Sequence, residues 1–180
     1  LVDGNYGNNT STTGAFTMNT SYTNSGGGNN SHMRKTVLGS NSTSATSPAA
    51  NTLLAALPAD LRAVMKPATK YSDNTGGGST AASNVTATTD YFFLLSEYEV
   101  FGSISRANSN EASKQAQYAY YSAGNSKVKY KHNGTSAAAR WWLRSPLASS
   151  SDGFENVNTN GTVEDRTARA SFGFAPGFCV

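Results

Sequence analysis

Cysteine is nearly absent. The single Cys179 in 180 residues cannot close an internal disulfide, so a disulfide-stapled scaffold and a cysteine-rich zinc site are both excluded. Histidine is almost as scarce, with only His32 and His132, far apart in the chain. Neither lies in a pattern that would serve a Ser-His-Asp constellation. Leu, Ile, Val and Phe together number only 28, and isoleucine occurs once. Apolar runs stop at five residues, as at Tyr91 to Leu95, where roughly 20 are needed to cross a bilayer, so no membrane insertion is expected. Charge is sparse as well, at 14% of residues and a net +3. The densest basic cluster, Lys127, Lys129 and Lys131, is spaced at every second residue and is no nucleic-acid footprint. Gly76-Gly77-Gly78 runs into Ser79-Thr80 with no lysine placed for phosphate, which excludes a phosphate-cradling loop.

What fills the chain instead is Ser, Thr, Asn and Gly, 79 of 180 residues. So low an aliphatic share signals disorder only in company with high net charge. Here the charge is low, and nine Tyr and two Trp supply burial that aliphatics usually provide. The reading is one folded domain over residues 1–180 with a small core, a polar N-terminal segment at 1–30 and a C-terminal sheet at 140–180. The chain opens at Leu1 rather than methionine, which points to a piece of a longer protein, with any export signal or anchor elsewhere.

Residues 1–31 have few apolar anchors beyond Tyr6, Phe16, Met18 and Tyr22 and read as short strands joined by turns, with disorder as the competing reading. Ser31 as N-cap and Gly39 as C′ residue bracket a short helix from His32 to Leu38. Leu53, Leu54, Leu57, Leu61, Val64 and Met65 recur at three- and four-residue steps, a core-facing stripe on two helical segments that Pro58 separates and Pro67 ends. Residues 72–89 read as a long polar surface loop. Asp90 to Leu95 has the length and aromatic content of a buried strand, and Ser96-Glu97-Tyr98-Glu99 spells a capping box for a short helix through Phe101. Residues 102–139 form a polar excursion packed by Tyr118, Tyr120, Tyr121 and Tyr130. It contains a hairpin, in which Lys127 to Lys131 alternates as a half-buried strand with a solvated lysine face. From Arg140 short extended segments follow at 140–144, 154–158, 162–166 and 174–180, with turns at Asn158-Thr159-Asn160-Gly161 and before Pro176, the pattern of a small antiparallel sheet.

Several of these segments carry a resemblance. They are Trp141-Trp142-Leu143-Arg144-Ser145-Pro146, the turn Val157 to Gly161 and the closing Gly173-Phe174-Ala175-Pro176-Gly177-Phe178, preceded by His32-Met33-Arg34-Lys35, the Leu53 to Lys66 helices and Thr89 to Glu97. Over residues 31–180 the chain is similar to the C-type-lectin-like domains of gut bacterial and phage proteins, which include the variable proteins of diversity-generating retroelements. The resemblance implies an α+β, C-type-lectin-like fold, with two short helices packed on a small mixed or antiparallel sheet and long polar loops. It implies a ligand-binding domain of receptor or adhesin type on a phage tail or bacterial surface, whose last strands and loops are rewritten by adenine-directed mutagenesis. The partner so implied is a host-cell surface protein or glycan, and a tail-fibre setting implies a trimer. The rival reading is a structural or assembly module of a virion or surface layer.

Under that resemblance the diversified, ligand-binding positions are Leu147, Ser149, Ser150, Ser151, Asp152, Phe154, Asn156, Asp165, Arg166, Thr167, Arg169 and Phe172. They are expected outward, between rigid aromatic elements around Trp142 and Phe178, and they offer the aromatic, arginine and small polar mixture of antibody-like paratopes. The Trp pair itself is assigned to the core or its rim. Adenine mutagenesis of asparagine codons does not yield Lys, Gln, Glu, Met or Trp. Residues 147–180 hold none of these except Glu155 and Glu164, which would be template-encoded. Calcium-dependent sugar-binding lectins of this fold carry Glu-Pro-Asn or Gln-Pro-Asp with Trp-Asn-Asp, and none of these occurs. Asp152, Glu155, Glu164 and Asp165 read as a solvated acidic rim rather than a calcium cage. Formylglycine-generating enzymes share the fold but need a cysteine pair. The expectation is therefore no enzyme activity, no metal and no cofactor.

Overall fold

The computed structural model describes residues 16–131 and 134–180. Of the segment 1–31 expected as short strands, residues 1–15 lie outside the described residues, as does His132, and the described residues 16–31 hold no strand but a short helix at Gly27–Asn30. The architecture is α+β, with short helices and small sheets. The helices are α1 (Gly27–Asn30), α2 (Leu53–Ala56), α3 (Ala59–Val64), α4 (Glu97–Phe101) and α5 (Ala119–Ser122), with a wide π-type turn at Met33–Leu38. Strands β1 (Ala68–Asp73) and β2 (Val85–Asp90) form one antiparallel hairpin, and β3 (Lys129–Lys131) and β4 (Gly134–Ala139) another. Strands β5 (Trp141–Pro146), β6 (Gly153–Val157), β7 (Val163–Thr167) and β8 (Gly173–Phe174) make a four-stranded sheet in the order β7-β6-β5-β8. Strand β8 runs parallel to β5 and the other neighbours are antiparallel.

Strand β5 organises the core. Successive side chains of a strand point to opposite faces, and Trp141 and Trp142 accordingly enter two different hydrophobic clusters, both fully buried. Trp142 packs with Met18, Met33, Leu54, Phe154 and Phe174, whereas Trp141 packs with Val100, Tyr121, Leu143 and Val157. Each indole N–H finds a main-chain carbonyl, Trp141 at Lys127 (3.0 Å) and Trp142 at Phe16 (2.9 Å), so neither ring is buried with an orphaned donor.

Arg144 and Ser145, in the same strand, tie the sheet to the helices. The buried guanidinium of Arg144 donates to the carbonyls of Tyr71 and Leu94, to Gln115 Oε1 and to Glu99 Oε2. Glu99 also receives the Lys70 ammonium at 2.9 Å. Burial raises the Glu99 pKa, but Arg144 and Lys70 outweigh it and hold the carboxyl below its ordinary value. Glu99 and Ser96 form the full capping box of α4, as their spacing predicted. Ser145 Oγ donates to Glu111 and accepts from the Glu97 amide.

Other local signals hold too. Ser31 Oγ accepts from the Arg34 amide and Gly39 closes the turn in the left-handed conformation. Pro58 begins α3. The Asn158 to Gly161 turn joins β6 to β7, with Gly161 at φ 85°.

Five expectations are corrected. The Leu53 to Met65 stripe faces the core only in part, since Leu54 and Met65 are buried while α3 has no buried residue and Val64 is exposed. Within the expected loop 72–89, residues 72–73 end β1 and 85–89 belong to strand β2, which pairs along its whole length with β1. Residues 92–94 are buried, yet only Phe93 pairs, in an isolated bridge to Gly177. Lys127 and Lys129 turn toward the rings of Phe101, Tyr120, Tyr121 and Trp141 while Tyr130 is the exposed side chain, because ammonium groups gain from aromatic faces. Phe178 is 44% exposed, so Phe174, not Phe178, is the C-terminal core aromatic.

Candidate functional site

The connection between β5 and β6 is shaped from the far end of the chain. Asn24 is fully buried, and its Nδ2 donates to the carbonyls of Leu147 (3.2 Å), Ser150 (2.9 Å) and Gly153 (2.9 Å). Its amide donates to Ser151 O at 2.8 Å, and its Oδ1 accepts from the Gly77 amide at 2.8 Å. Gly76 makes this approach possible. Its φ is +62° and an added Cβ would stand 2.0 Å from Asn24 O, a position only glycine fills. The glycine run is therefore a seat for Asn24 rather than a plain linker.

A second loop faces this one. The Glu97 carboxylate, fully buried, accepts from Ser105 N (2.7 Å), Ser105 Oγ (2.8 Å), Arg106 N (3.3 Å) and Ala107 N (2.8 Å). A carboxylate with this many donors fixes the loop that carries Arg106. Ala148 then donates to Arg106 O at 3.0 Å, joining the two loops. Between them lies an open groove of about 640 Å³, lined by Thr80, Ser105, Arg106, Leu147, Ser149 and Val163 among others. Arg106 forms an ion pair with Asp165 of β7. Along the same strand Glu164 receives Arg166 at 2.7 Å and Arg140 at 3.0 Å. Arg169 lies 4.8 Å from the ring of Tyr22, which is 63% exposed.

Of the positions expected outward, Ser149, Ser151, Thr167 and Arg169 are exposed, and Ser150, Asp152, Asp165, Arg166 and Phe172 are half-buried. Leu147, Phe154 and Asn156 are buried, which corrects their outward reading. Strand β6 lies between β5 and β7 and both of its faces are covered. Phe154 enters the Trp142 cluster, and Asn156 stands beside Trp142 in the register. Phe172 turns its ring to Trp142, with centroids 4.8 Å apart.

The acidic-rim reading fails at Glu155. Its carboxyl is fully buried, with both oxygens lacking a hydrogen-bond partner among the described residues. Burial, followed by the nearby charges of Glu97 and Asp165, pushes its pKa up to about 9, so at neutral pH it is a neutral acid, in register with Asp165 of β7. Glu164 and Asp165 are committed to arginines, and Asp152 accepts from Ser150 Oγ. Among the described residues no group of three His, Cys, Asp or Glu side chains converges to hold a metal ion.

Arg106, Tyr22, Asn24, Thr80 and Ser105 were not legible as parts of this surface, because each reaches it through contacts of long sequence separation. Asn24 and Gly76 sit in low-complexity stretches with no local signal of their role.

The geometry defines an α+β domain with a polar groove and a clamped loop at one end of its main sheet. The chain belongs to the family described as Domain of unknown function (DUF6273), whose model matches residues 21–180. No curated protein and no solved structure matches it.

Proposed function

We propose that this is a non-catalytic ligand-binding domain of receptor or adhesin type. Its recognition face comprises the 147–152 loop, the exposed side of β7 and Arg169, on a C-type-lectin-like frame displayed by a phage tail or bacterial surface protein. The observation that carries the reading is how the loop is held. Asn24 grips it only by main-chain carbonyls, and the exposed side chains of Ser149, Ser151 and Thr167 make no hydrogen bond among the described residues. Side chains in such places are free to serve a partner, and rigid loops lower the ordering entropy lost on binding. The chemistry of the face, Tyr22, Arg106, Arg166, Arg169 and small hydroxyls, suits a host-cell surface protein or glycan. The motif resemblance supports the finer form of the proposal, in which these positions are diversified by a retroelement. Phe154 and Asn156 are then constant, because their space is filled by the core.

The test uses the fluorescently labelled chain on a panel of intact bacterial cells. Ser149→Arg with Thr167→Arg should abolish cell binding while shifting the melting temperature by no more than a few degrees, as for surface changes. Binding that survives both substitutions would refute the assignment and favour an assembly module. Among close isolates, coding changes should fall at Ser149, Ser151, Thr167 and Arg169 and spare Phe154.

A further inference from the structure

On another part of the molecule, tyrosines that the function above does not use line a groove of about 310 Å³ with Phe93, Tyr118, Tyr120, Tyr121, Lys129 and Phe178 among its walls. Tyr120, Phe178 and Tyr118 are 53%, 44% and 36% exposed, an unusual concentration of solvent-facing rings. The rings are braced. Tyr120 and Tyr121 meet edge to face at 5.1 Å, and Tyr118 Oη receives the Lys70 ammonium at 2.6 Å. That ammonium also lies 3.9 Å from the Phe93 ring centroid. Gly177 lets the floor close, since a Cβ there would meet the Phe93 ring at 2.7 Å.

The charge around the groove is one-sided. Lys129 and Lys127 stand over its rings, and among the described residues neither is paired with a carboxylate. Glu99, which lies behind Lys70, is already committed to Lys70 and Arg144. Among the described residues the walls include no acidic side chain. The nearby main chain is occupied as well. Phe93 and Gly177 exchange hydrogen bonds of 3.0 and 2.8 Å, and Cys179 O accepts from Lys66, so no open strand edge is offered there to an extended peptide.

We propose that this groove binds an acidic saccharide, a pyranose bearing a carboxylate. Ring faces with negative quadrupoles attract the polarised C–H face of a sugar ring, tyrosine hydroxyls meet its hydroxyl groups, and Lys129 meets the carboxylate. The volume lies at the small end of the range for ligand pockets, which fits one or two sugar units. This site is separate from the 147–169 face and stands without it.

The probes are oligogalacturonate and sialyllactose, with the neutral sugars galactobiose and lactose and a polyglutamate peptide as comparators, titrated into the whole chain by calorimetry. At least one acidic sugar should bind about tenfold more tightly than its neutral counterpart. Tyr120→Ala should weaken that binding about tenfold, and Lys129→Gln should remove most of the preference for acid. Should Tyr120→Ala lower the melting temperature, Phe178→Ala in the same groove supplies the same readout. Ser149→Arg with Thr167→Arg should leave it unchanged, which separates this proposal from the preceding one. No binding of either acidic sugar at about millimolar concentration, binding indifferent to both aromatic substitutions, or equal binding of polyglutamate would each overturn the assignment.

Discussion

Glu155 is an enclosed acid facing other acids, and its protonation makes the domain sensitive to alkali. Its folded pKa is raised to about 9 from 4.5. Between those values the folded chain keeps a proton that the unfolded chain has released, so stability falls as pH rises through the window. Complete burial raises the Glu111 pKa, against donors from Asp73, Ser145 and Ser72, and adds in the same direction. Glu99 has the opposite sign. Its lowered pKa gives stability that is present above the ordinary carboxylate range and lost as acid protonates it. Glu155→Gln, which keeps the shape and removes the titration, should raise the melting temperature by several degrees at about pH 8 and by much less at about pH 4. Thermal melts of both proteins across that range check this, and an equal gain at both pH values would contradict the account.

At the scale of elements, the clamp on the 147–153 loop is the feature with the clearest consequence. Asn24→Ala removes a buried donor from three carbonyls at once. Buried acceptors left without partners cost about 1–3 kcal/mol. The expected outcome is that loss of stability together with faster hydrogen exchange at the Leu147 amide, which bonds Gly153 O, while the amides of α4 stay protected. Elements whose cause is local were readable in the sequence: the Ser96–Glu99 box, the Ser31 and Gly39 ends of the first turn, the break at Pro58 and the Gly161 turn. Strand β2 was not, because in Val85-Thr86-Ala87-Thr88-Thr89 only Val85 is a sizeable buried apolar residue and the segment becomes a strand by pairing with β1. The candidate site was half legible. Ser149, Ser151, Thr167 and Arg169 are exposed, as the resemblance implied. Phe154 and Asn156 are not, since which strand occupies the middle of a sheet is decided by long-range pairing that spacing alone does not carry.

Over the whole molecule, two small cores share a single strand. Neither cluster has the aliphatic mass to stand alone, and β5 supplies the largest side chain of each. Trp141→Ala and Trp142→Ala should each cost about 3–5 kcal/mol, and each variant should still unfold in one transition, with fluorescence and circular dichroism midpoints coinciding. Separate midpoints would show the clusters to be independent folding units.

The alternation of Trp141 and Trp142 also limits how this chain can change in length. Inserting one residue between Arg140 and Trp141, or deleting Arg140, would turn each indole toward the opposite cavity, where its N–H no longer meets the carbonyl of Lys127 or Phe16. Drift in this segment is thereby channelled into replacements rather than indels, while the Asn158 to Gly161 turn, lying at the surface, is the place where extra residues can accumulate.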